Sequence, residues 1–225
     1  MGMVIAIDGP AGSGKGTITK LVAKRLGLVN IDTGAMYRCV ALECLNKNIK
    51  PEETEKIEEV LEKIDIKLKR EENNQIVLLN GQDVSKEIRE ERIDENVAKY
   101  AAIKIIRDKV TPIQQKMGES EDIIMEGRDI GTVVFPNADV KIFLDCSIEE
   151  RARRRYKQNM ERGINTPYEE VLSSLIERHK LETERTVAPF VKADDAILID
   201  SSNMSIEEVT EEVIRIVKEK KGKRC

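Results

Sequence analysis

Residues 9–17 read GPAGSGKGT, a glycine-rich segment that ends in a lysine and a hydroxyl residue. The segment follows an apolar run at 4–7 and precedes a helix-like stretch at 17–26, which is the strand, loop and helix context of a phosphate-binding P-loop. Glycines let successive N–H groups converge on phosphate oxygens at a helix N-terminus, and Lys15 adds a positive charge there. The segment therefore predicts nucleotide binding, with a purely structural glycine-rich turn as the alternative.

The whole loop is a candidate phosphate-binding site, consisting of Gly9, Pro10, Ala11, Gly12, Ser13, Gly14, Lys15, Gly16 and Thr17. Most P-loops place Ser or Thr directly after the lysine, where the hydroxyl binds magnesium. Here Gly16 holds that position and Thr17 follows it, so Thr17 is the candidate hydroxyl ligand. The GKGT ending favours small-molecule phosphoryl transferases over switch GTPases.

Two further clusters carry charged side chains. One follows the weaker strand pattern at 28–31, and the other follows the strand pattern at 122–125. In the first, DTGAMYR at 32–38, Thr33 can cap a helix, and the Arg38 guanidinium suits a phosphate of an anionic substrate. In the second, EGRDIGT at 126–132, Glu126 directly follows a strand and resembles an acid that orients metal-bound water, whereas Arg128 and Asp129 can contact substrate. A capped surface helix and a structural ion-pair loop are the respective alternatives.

Basic residues then concentrate on two helices. Four arginines lie within five positions of the first helix: Arg151, Arg153, Arg154 and Arg155. Arg151 and Arg155 share a face and can meet one triphosphate, whereas a solvated position paired with glutamate is expected for Arg153. On the helix after Pro167, another face carries Arg178, Glu182 and Arg185, which suit a sugar and a phosphate or form a plain salt-bridge ladder. The neighbouring His179 is expected to be an ordinary surface residue.

Short apolar strands alternate with helical segments, which predicts an α/β fold with a parallel sheet flanked by helices. The strand candidates lie at 4–7, 28–31, 122–125, 140–144 and 196–199. Residues 65–84 break this pattern with alternating apolar residues and Asn80-Gly81, a type I′ hairpin signal, and so predict a small antiparallel insert. The insert and the helical patterns at 51–64 and 93–116 form either a movable substrate lobe or a structural decoration.

Composition narrows the class of protein. The chain has 225 residues, 40% of them hydrophobic, and a formal net charge of −4, which argues against an extended nucleic-acid surface. Four cysteines show no CxxC spacing, no apolar run approaches the roughly 20 residues of a membrane span, and a core strand begins near residue 4. We expect a cytoplasmic monomer without membrane or nucleic-acid partners.

Together these motifs resemble bacterial cytidylate kinases, which are P-loop nucleoside monophosphate kinases. The resemblance runs nearly end to end and rests on six segments: IAIDGPAGSGKGT at 5–17, DTGAMYR at 32–38, LNGQDVSKEIR at 79–89, GRDIGTVVFPNADVKIFLD at 127–145, ERARRR at 150–155 and VAPFVKADDAILIDSS at 187–202. It implies transfer of the ATP γ-phosphoryl group to CMP or dCMP with Mg²⁺. It also implies one P-loop kinase domain over 1–225, with a substrate lobe at about 33–116, its hairpin insert at 65–84, and a lid at about 150–166.

The resemblance also implies roles for individual residues. Lys15, Arg128, Arg155 and Arg185 would be catalytic, and Arg151 would lie against the adenine of ATP. The acceptor would be bound by Thr33, Arg38, Arg107, Arg128, Asp129, Arg178, Glu182 and Arg185, with Arg107 and Asp129 at the cytosine and Arg178 and Glu182 at the ribose. Glu126 would hold magnesium through water, and Thr17 is a second candidate ligand.

Three positions depart from the family pattern. Family members commonly have Asp where this chain has Glu126 and Glu182, and Ser where it has Ala98, so the choice between CMP and dCMP stays open. A P-loop kinase acting on another monophosphate or on shikimate is one alternative, and Arg128-Asp129 argues against it. A GTPase-like switch is another, and the sequence contains no NKxD guanine motif.

Overall fold

The computed structural model describes residues 2–71, 74–119 and 121–222. It divides into two compact units. The core unit joins the residues up to Asn30 to those from Met117 onward, and the inserted unit runs from Ile31 to Lys116.

In chain order, the strands and α-helices are β1 (Val4–Asp8), α1 (Lys15–Leu26), β2 (Val29–Asp32), α2 (Gly34–Asn46), α3 (Thr54–Lys63), β3 (Ile66–Glu71), β4 (Asn74–Leu79), β5 (Gln82–Asp83), α4 (Glu91–Ala101), α5 (Lys104–Met117), β6 (Ile123–Gly127), β7 (Val140–Asp145), α6 (Ile148–Glu161), α7 (Tyr168–Glu184), β8 (Ile197–Asp200) and α8 (Ile206–Gly222). A 3₁₀ turn, Glu87–Arg89, precedes α4, and a π-helical turn, Ile130–Val134, follows β6.

The larger sheet has five strands in the order β2-β6-β1-β7-β8. Strand β1 is central and pairs in parallel with β6 and β7, with Ile5 opposite both Ile124 and Val140. All five residues of β1 are buried, as expected for a parallel strand covered on both faces. Because parallel strands end at one edge, the loop after β1 and the segments after β6 and β7 lie at the same edge of the sheet.

The core unit is held together by a cluster of buried aliphatic side chains from its sheet and helices. Ile5 and Ile7 from β1 and Val22 from α1 are fully buried in one cluster that also includes Val213 from α8. Removing this apolar surface from water is the main favourable contribution to folding. The rigid platform fixes where the strand ends, and hence the functional loops, are placed.

The inserted unit contains the smaller sheet, in which β3, β4 and β5 pair antiparallel. Asn80 and Gly81 connect β4 to β5 with φ angles of 51° and 83°, the two positive values that a type I′ turn requires. The predicted hairpin is therefore confirmed. Residues 72–73, between β3 and β4, lie outside the described residues.

The predicted fold class is confirmed, since all five expected strands form within two residues of their predicted bounds. The helical pattern predicted over 93–116 forms two helices, α4 and α5, with a break at Ala102 and Ile103. The π-helical turn after β6 had no sequence signal, because its apolar residues follow no helical or strand period. The single-domain assignment and the lid bounds stay predictions.

Candidate active site

The glycine-rich loop joins β1 to α1 and holds Lys15 in a folded-back position. The Lys15 Nζ donates hydrogen bonds to the carbonyl oxygens of Gly9 and Pro10 at 2.7 and 2.8 Å, and lies 3.4 Å from the Ser13 hydroxyl. Lys15 is only 6% exposed. The ammonium group is thus hydrogen-bonded to neutral carbonyls of its own loop.

The charge state of Lys15 is finely balanced. Burial and, to a smaller extent, the nearby Arg128 guanidinium lower its pKa to about 7, even though the carboxylates of Glu126, Glu182 and Asp8 oppose the shift. A phosphate entering the loop would add negative charge beside Nζ and raise the pKa again. Lys15 therefore shares one electrostatic environment with the acids and arginine at the carboxyl ends of β1 and β6.

Glu126, near the end of β6, faces the start of α1. A side-chain carbon placed on Gly16 would lie 3.2 Å from Glu126 Oε1, so the residue after the lysine lies directly beside this carboxylate. The buried Thr19 hydroxyl lies 3.3 Å from the same oxygen, in position to donate to it. Thr17, the predicted hydroxyl ligand, is exposed, and Thr19 was missed by the sequence analysis.

Asp8 closes β1 and holds the segment after β6. Its two carboxylate oxygens accept hydrogen bonds from the backbone N–H groups of Ile130 and Gly131 at 2.9 and 2.8 Å. Burial raises the pKa of Asp8 to about 6, although these two hydrogen bonds and Lys15 favour the charged form. Asp8 thereby positions the loop that carries Arg128 and Asp129. The sequence analysis gave Asp8 no role, and the only signal for it was its position directly before the glycine-rich loop.

Arg128 and two residues of α7 form a buried ion-pair cluster. Glu182 accepts from the Arg128 Nε at 2.8 Å and from the Arg178 Nε at 3.0 Å. Burial alone would raise the pKa of Glu182, but the two guanidinium groups hold it far below its usual range. The guanidinium of Arg128 also lies over the Phe190 ring, 6.0 Å from its centroid. Glu182 thus fixes the positions of two arginines through their Nε atoms.

A second ion pair lies next to this cluster in the chain. The Arg185 Nη2 is 3.5 Å from Asp129 Oδ1, and both side chains are 5% exposed. The Arg185 Nε also donates to the Ala188 carbonyl at 2.6 Å. Five predicted site residues therefore lie in the core unit and form these ion pairs. Arg128 and Asp129 directly follow β6, whereas Arg178 and Glu182 lie on α7 and Arg185 directly follows it.

The arginines of α6 do not share one role. Arg151 is buried, and its Nη1 donates to the Ala11 carbonyl of the glycine-rich loop at 3.3 Å while its Nε donates to Cys146 at 3.1 Å. Arg155 donates to Gln158 at 2.8 Å on its own helix. Arg153 is exposed and pairs with Glu150, as predicted.

Within the inserted unit, two arginines are held by carboxylates. The Arg38 Nη1 lies 2.5 Å from Asp94 Oδ1 and 3.3 Å from the Ile88 carbonyl. The Arg89 Nη2 lies 2.5 Å from Asp32 Oδ2. Burial opposes ionisation of Asp32, but the Arg89 and Arg38 guanidinium groups lower its pKa overall. Arg89 was missed by the sequence analysis, because a lone arginine before α4 carries no local signal.

The other acceptor-side candidates also lie in the inserted unit. Arg107 is 3% exposed, lies over the Tyr37 ring at 5.1 Å, and donates to the Ala101 carbonyl at 2.9 Å. Thr33 occupies the predicted N-cap position of α2, but its side chain makes no capping hydrogen bond there. Ala98 is buried on α4. The sequence analysis predicts that Arg107 and Thr33 bind substrate. The contacts described here are with other protein groups, so that role stays a prediction.

His179 differs from its predicted surface position. Its ring packs edge-on against Phe190, with 5.8 Å between the ring centroids. Burial, with a smaller contribution from Arg151, lowers the pKa of His179. The lone histidine therefore packs against the same Phe190 ring that the Arg128 guanidinium contacts.

Comparison with known proteins gives a consistent picture. Residues 5–219 match the family model described as "Cytidylate kinase". The cytidylate kinase of Thermosipho melanesiensis is 50% identical over 96% of this chain and 97% of its own length. The cytidylate kinase of Fusobacterium nucleatum is 49% identical over 92% and 93%, and that of Bacillus subtilis is 43% identical over 96% of each chain.

Among solved structures, a gluconokinase from Sinorhizobium meliloti is similar with a TM-score of 0.50 at 13% identity, covering 97% of this chain and 92% of the other. The protein TT1252 from Thermus thermophilus has a TM-score of 0.50 at 17% identity and covers 96% of each chain. At such low identity these likenesses concern the fold alone. Across the described residues, every helix is too short or too polar to cross a bilayer.

Proposed function

The chain belongs to the cytidylate kinase family of phosphotransferases, and we propose that it transfers the γ-phosphoryl group of ATP to CMP or dCMP, giving ADP and CDP or dCDP. The observation that carries the proposal is the placement of Lys15 in the loop after β1 and of Arg128, paired with Glu182, directly after the neighbouring strand β6. A phosphate-binding loop and an arginine cluster beside it are what a donor triphosphate and an acceptor phosphate need in order to meet.

The chemistry requires alignment and charge neutralisation rather than a covalent intermediate. Phosphoryl transfer spreads negative charge over the equatorial oxygens, and positioned cations stabilise that charge. In the proposal, Lys15 leaves the Gly9 and Pro10 carbonyls for the terminal phosphates. Arg128 and Arg185 hold the acceptor phosphate, and Arg155 closes over the transferring group.

The acceptor nucleoside is assigned to the remaining candidates. Arg107 and Asp129 would read the cytosine, whereas Arg178 and Glu182 would approach the ribose. Arg38 and Thr33 would bind near the acceptor phosphate, and Arg151 would lie against adenine in addition to its hydrogen bond to the Ala11 carbonyl.

The proposal includes magnesium, and the donor atoms fit it. Mg²⁺ prefers oxygen ligands and is commonly held by one or two carboxylates together with substrate phosphates. Glu126 supplies a buried carboxylate beside Gly16, and Thr17 supplies an exposed hydroxyl. Bound magnesium would neutralise charge on the β- and γ-phosphates. We also place the protein in the cytoplasm, as a monomer in pyrimidine nucleotide metabolism.

The test is ADP formation from magnesium-ATP with CMP, dCMP, UMP, AMP and shikimate offered separately, beside a control without acceptor. We expect strong stimulation by CMP or dCMP and little by the others. Binding of ATP without stimulation by any acceptor would leave the nucleotide site standing and contradict the cytidylate assignment.

Sugar selection can be measured in the same assay. Ala98 has no side-chain hydrogen-bonding group, so the Ala98→Ser variant tests whether a hydroxyl on α4 changes the ratio of kcat/KM for CMP to that for dCMP. An unchanged ratio in a folded variant would remove Ala98 from the account of sugar preference.

A further inference from the structure

Arg154 lies on α6 and has no role in the chemistry proposed above. Its guanidinium nonetheless contacts three separate segments of the core unit. The Nε donates to Glu150 Oε1 at 3.0 Å, the Nη2 to the Ser201 carbonyl at 2.8 Å, and the Nη1 to the Ser13 carbonyl at 3.3 Å. Because the guanidinium is planar and its donors point in fixed directions, these three contacts set the direction of the Ser13 carbonyl.

Ser201 anchors this arrangement to the sheet. It is 1% exposed, and both its N–H and its hydroxyl donate to the Asp145 carbonyl at 2.9 Å, at the end of β7. Its hydroxyl oxygen is also 3.4 Å from the Arg154 Nη1. Arg154 therefore transmits the position of a rigid strand end to the glycine-rich loop.

The consequence concerns the next N–H group in the loop. Among the described residues every peptide bond is trans, and in a trans peptide the C=O and the N–H point to opposite sides. With the Ser13 carbonyl held toward Arg154, the Gly14 N–H points away from it. Gly14 has a φ of 89° and is the N-cap of α1, so this N–H lies at the positive end of the helix.

Arg151 repeats the same arrangement one turn earlier on α6. Its Nη1 holds the Ala11 carbonyl at 3.3 Å, and the following residue, Gly12, also has a positive φ, of 82°. Two arginines thus brace alternate peptide groups of the loop from outside, each immediately before a glycine with positive φ.

We propose that Arg154 is a positioning residue that holds the Ser13–Gly14 peptide so that the Gly14 N–H binds a phosphate oxygen of the donor nucleotide. The inference rests on the proposed function for the identity of the donor, ATP. Arg154 acts through the backbone and itself contacts no phosphate. Its effect is therefore specific to the polyphosphate part of the nucleotide.

The test compares Arg154→Gln with Arg153→Gln, a matched loss of charge one residue away at an exposed position. Dissociation constants are measured for ATP, for inorganic tripolyphosphate as a probe of the loop without a nucleoside, and for CMP. We expect Arg154→Gln to weaken ATP and tripolyphosphate by the same factor, about tenfold, with CMP changed less than twofold. Arg153→Gln leaves all three within twofold.

The thermal unfolding midpoint of each variant and the conservative variant Arg154→Lys complete the design. Lysine can reach one carbonyl but cannot bridge Ser13 and Ser201, so we expect Arg154→Lys to fall between the unaltered protein and Arg154→Gln. Unchanged tripolyphosphate affinity in a folded Arg154→Gln would overturn the inference, as would equal weakening of CMP. Tripolyphosphate binding does not depend on the acceptor, so a failure of the cytidylate assignment is seen separately in the ADP assay.

Discussion

The glycine-rich loop and the Arg128 cluster both collect positive charge, but they hold it in different ways. At the loop, Lys15 and Arg151 donate to backbone carbonyls, which are neutral, whereas Arg154 donates both to a carbonyl and to the Glu150 carboxylate. In the cluster, Arg128 and Arg178 donate to the Glu182 carboxylate. The loop therefore holds Lys15 mainly against neutral acceptors, whereas the cluster gives up part of its charge in exchange for fixed geometry.

The difference suggests how binding energy is divided. A group held by carbonyls can leave them for phosphate oxygens with a gain in Coulomb energy, because a stronger anion replaces a neutral acceptor. A guanidinium already paired with a carboxylate gains less, but loses less conformational entropy on binding. The loop is suited to the charge of the donor and the cluster to the orientation of the acceptor.

The largest expected effect comes from removing the mobile charge of the loop. Lys15→Ala should lower kcat by about 10³-fold, because a positioned cation at the transferring phosphate is lost. Steady-state kinetics measure the effect, and circular dichroism and the unfolding midpoint serve as controls for folding. Near-normal turnover in the purified variant would refute the assignment of Lys15.

Glu182→Gln tests the Arg128 cluster, in which the arginines are held by a carboxylate. The amide presents one oxygen and one NH₂, so only one of Arg128 and Arg178 keeps its acceptor. We expect kcat/KM for the acceptor to fall by about tenfold to a hundredfold, with KM for ATP changed little. The control is Glu177→Gln, an exposed position on the same helix. An equal loss for ATP would show that the two regions do not divide the substrates.

Asp8 connects the two regions, since it is the last residue of β1 and holds the backbone after Arg128 and Asp129. Its pKa of about 6 means that the carboxylate is half protonated near pH 6, and a protonated carboxyl accepts well from only one of the two N–H groups. Asp8→Asn imitates the protonated form at every pH. We expect the variant to lose about tenfold in acceptor kcat/KM at pH 7.5.

The ratio between unaltered protein and the Asp8→Asn variant isolates this effect from ionisation of the nucleotides. That ratio should shrink as the pH falls below about 6, because both proteins then carry an uncharged group at position 8. Groups that share its surroundings, Lys15 and Asp129, are present in both proteins. A ratio that stays constant with pH would exclude titration of Asp8 as its cause.

The smallest expected effect is the uptake of protons when ATP binds. Because the pKa of Lys15 is lowered to about 7, the side chain is largely neutral at pH 8, and phosphate binding raises the pKa. Binding of ATP at pH 8 should therefore take up a fraction of a proton, measured by calorimetry in buffers of different ionisation enthalpy. Lys15→Ala should abolish the uptake, whereas uptake that persists in this variant would assign it to another group.

Several features were predictable because their signals are local. The glycine-rich loop, the five core strands and the Asn80-Gly81 turn each depend on residues adjacent in the chain. The preference of Arg153 for an exposed pair with Glu150 followed from helix spacing alone. Helical periodicity also placed Arg178 and Glu182 on one face, where they form the observed ion pair.

Other features required contacts between distant segments. Spacing on α6 suggested that Arg151 and Arg155 act as a pair, but the packing of α6 against the loop gives Arg151 and Arg154 the loop carbonyls. The hydrogen bonds of Asp8 to Ile130 and Gly131 join residues more than 120 positions apart. Periodicity cannot report such pairs, because it describes one element at a time.

The amino-acid sequence by itself determined the fold class, the phosphate-binding loop and the identity of the charged residues, since these follow from short-range pattern and composition. Only the tertiary structure decided which partner each charge has: backbone carbonyls for Lys15 and Arg151, a carboxylate for Arg128. The physical reason is that strand order and helix packing place segments from far apart in the chain at one edge of the sheet. Because these side chains are largely buried, their charge is only weakly screened by water. A cation paired with a carbonyl therefore has more charge available for a ligand than one paired with a carboxylate.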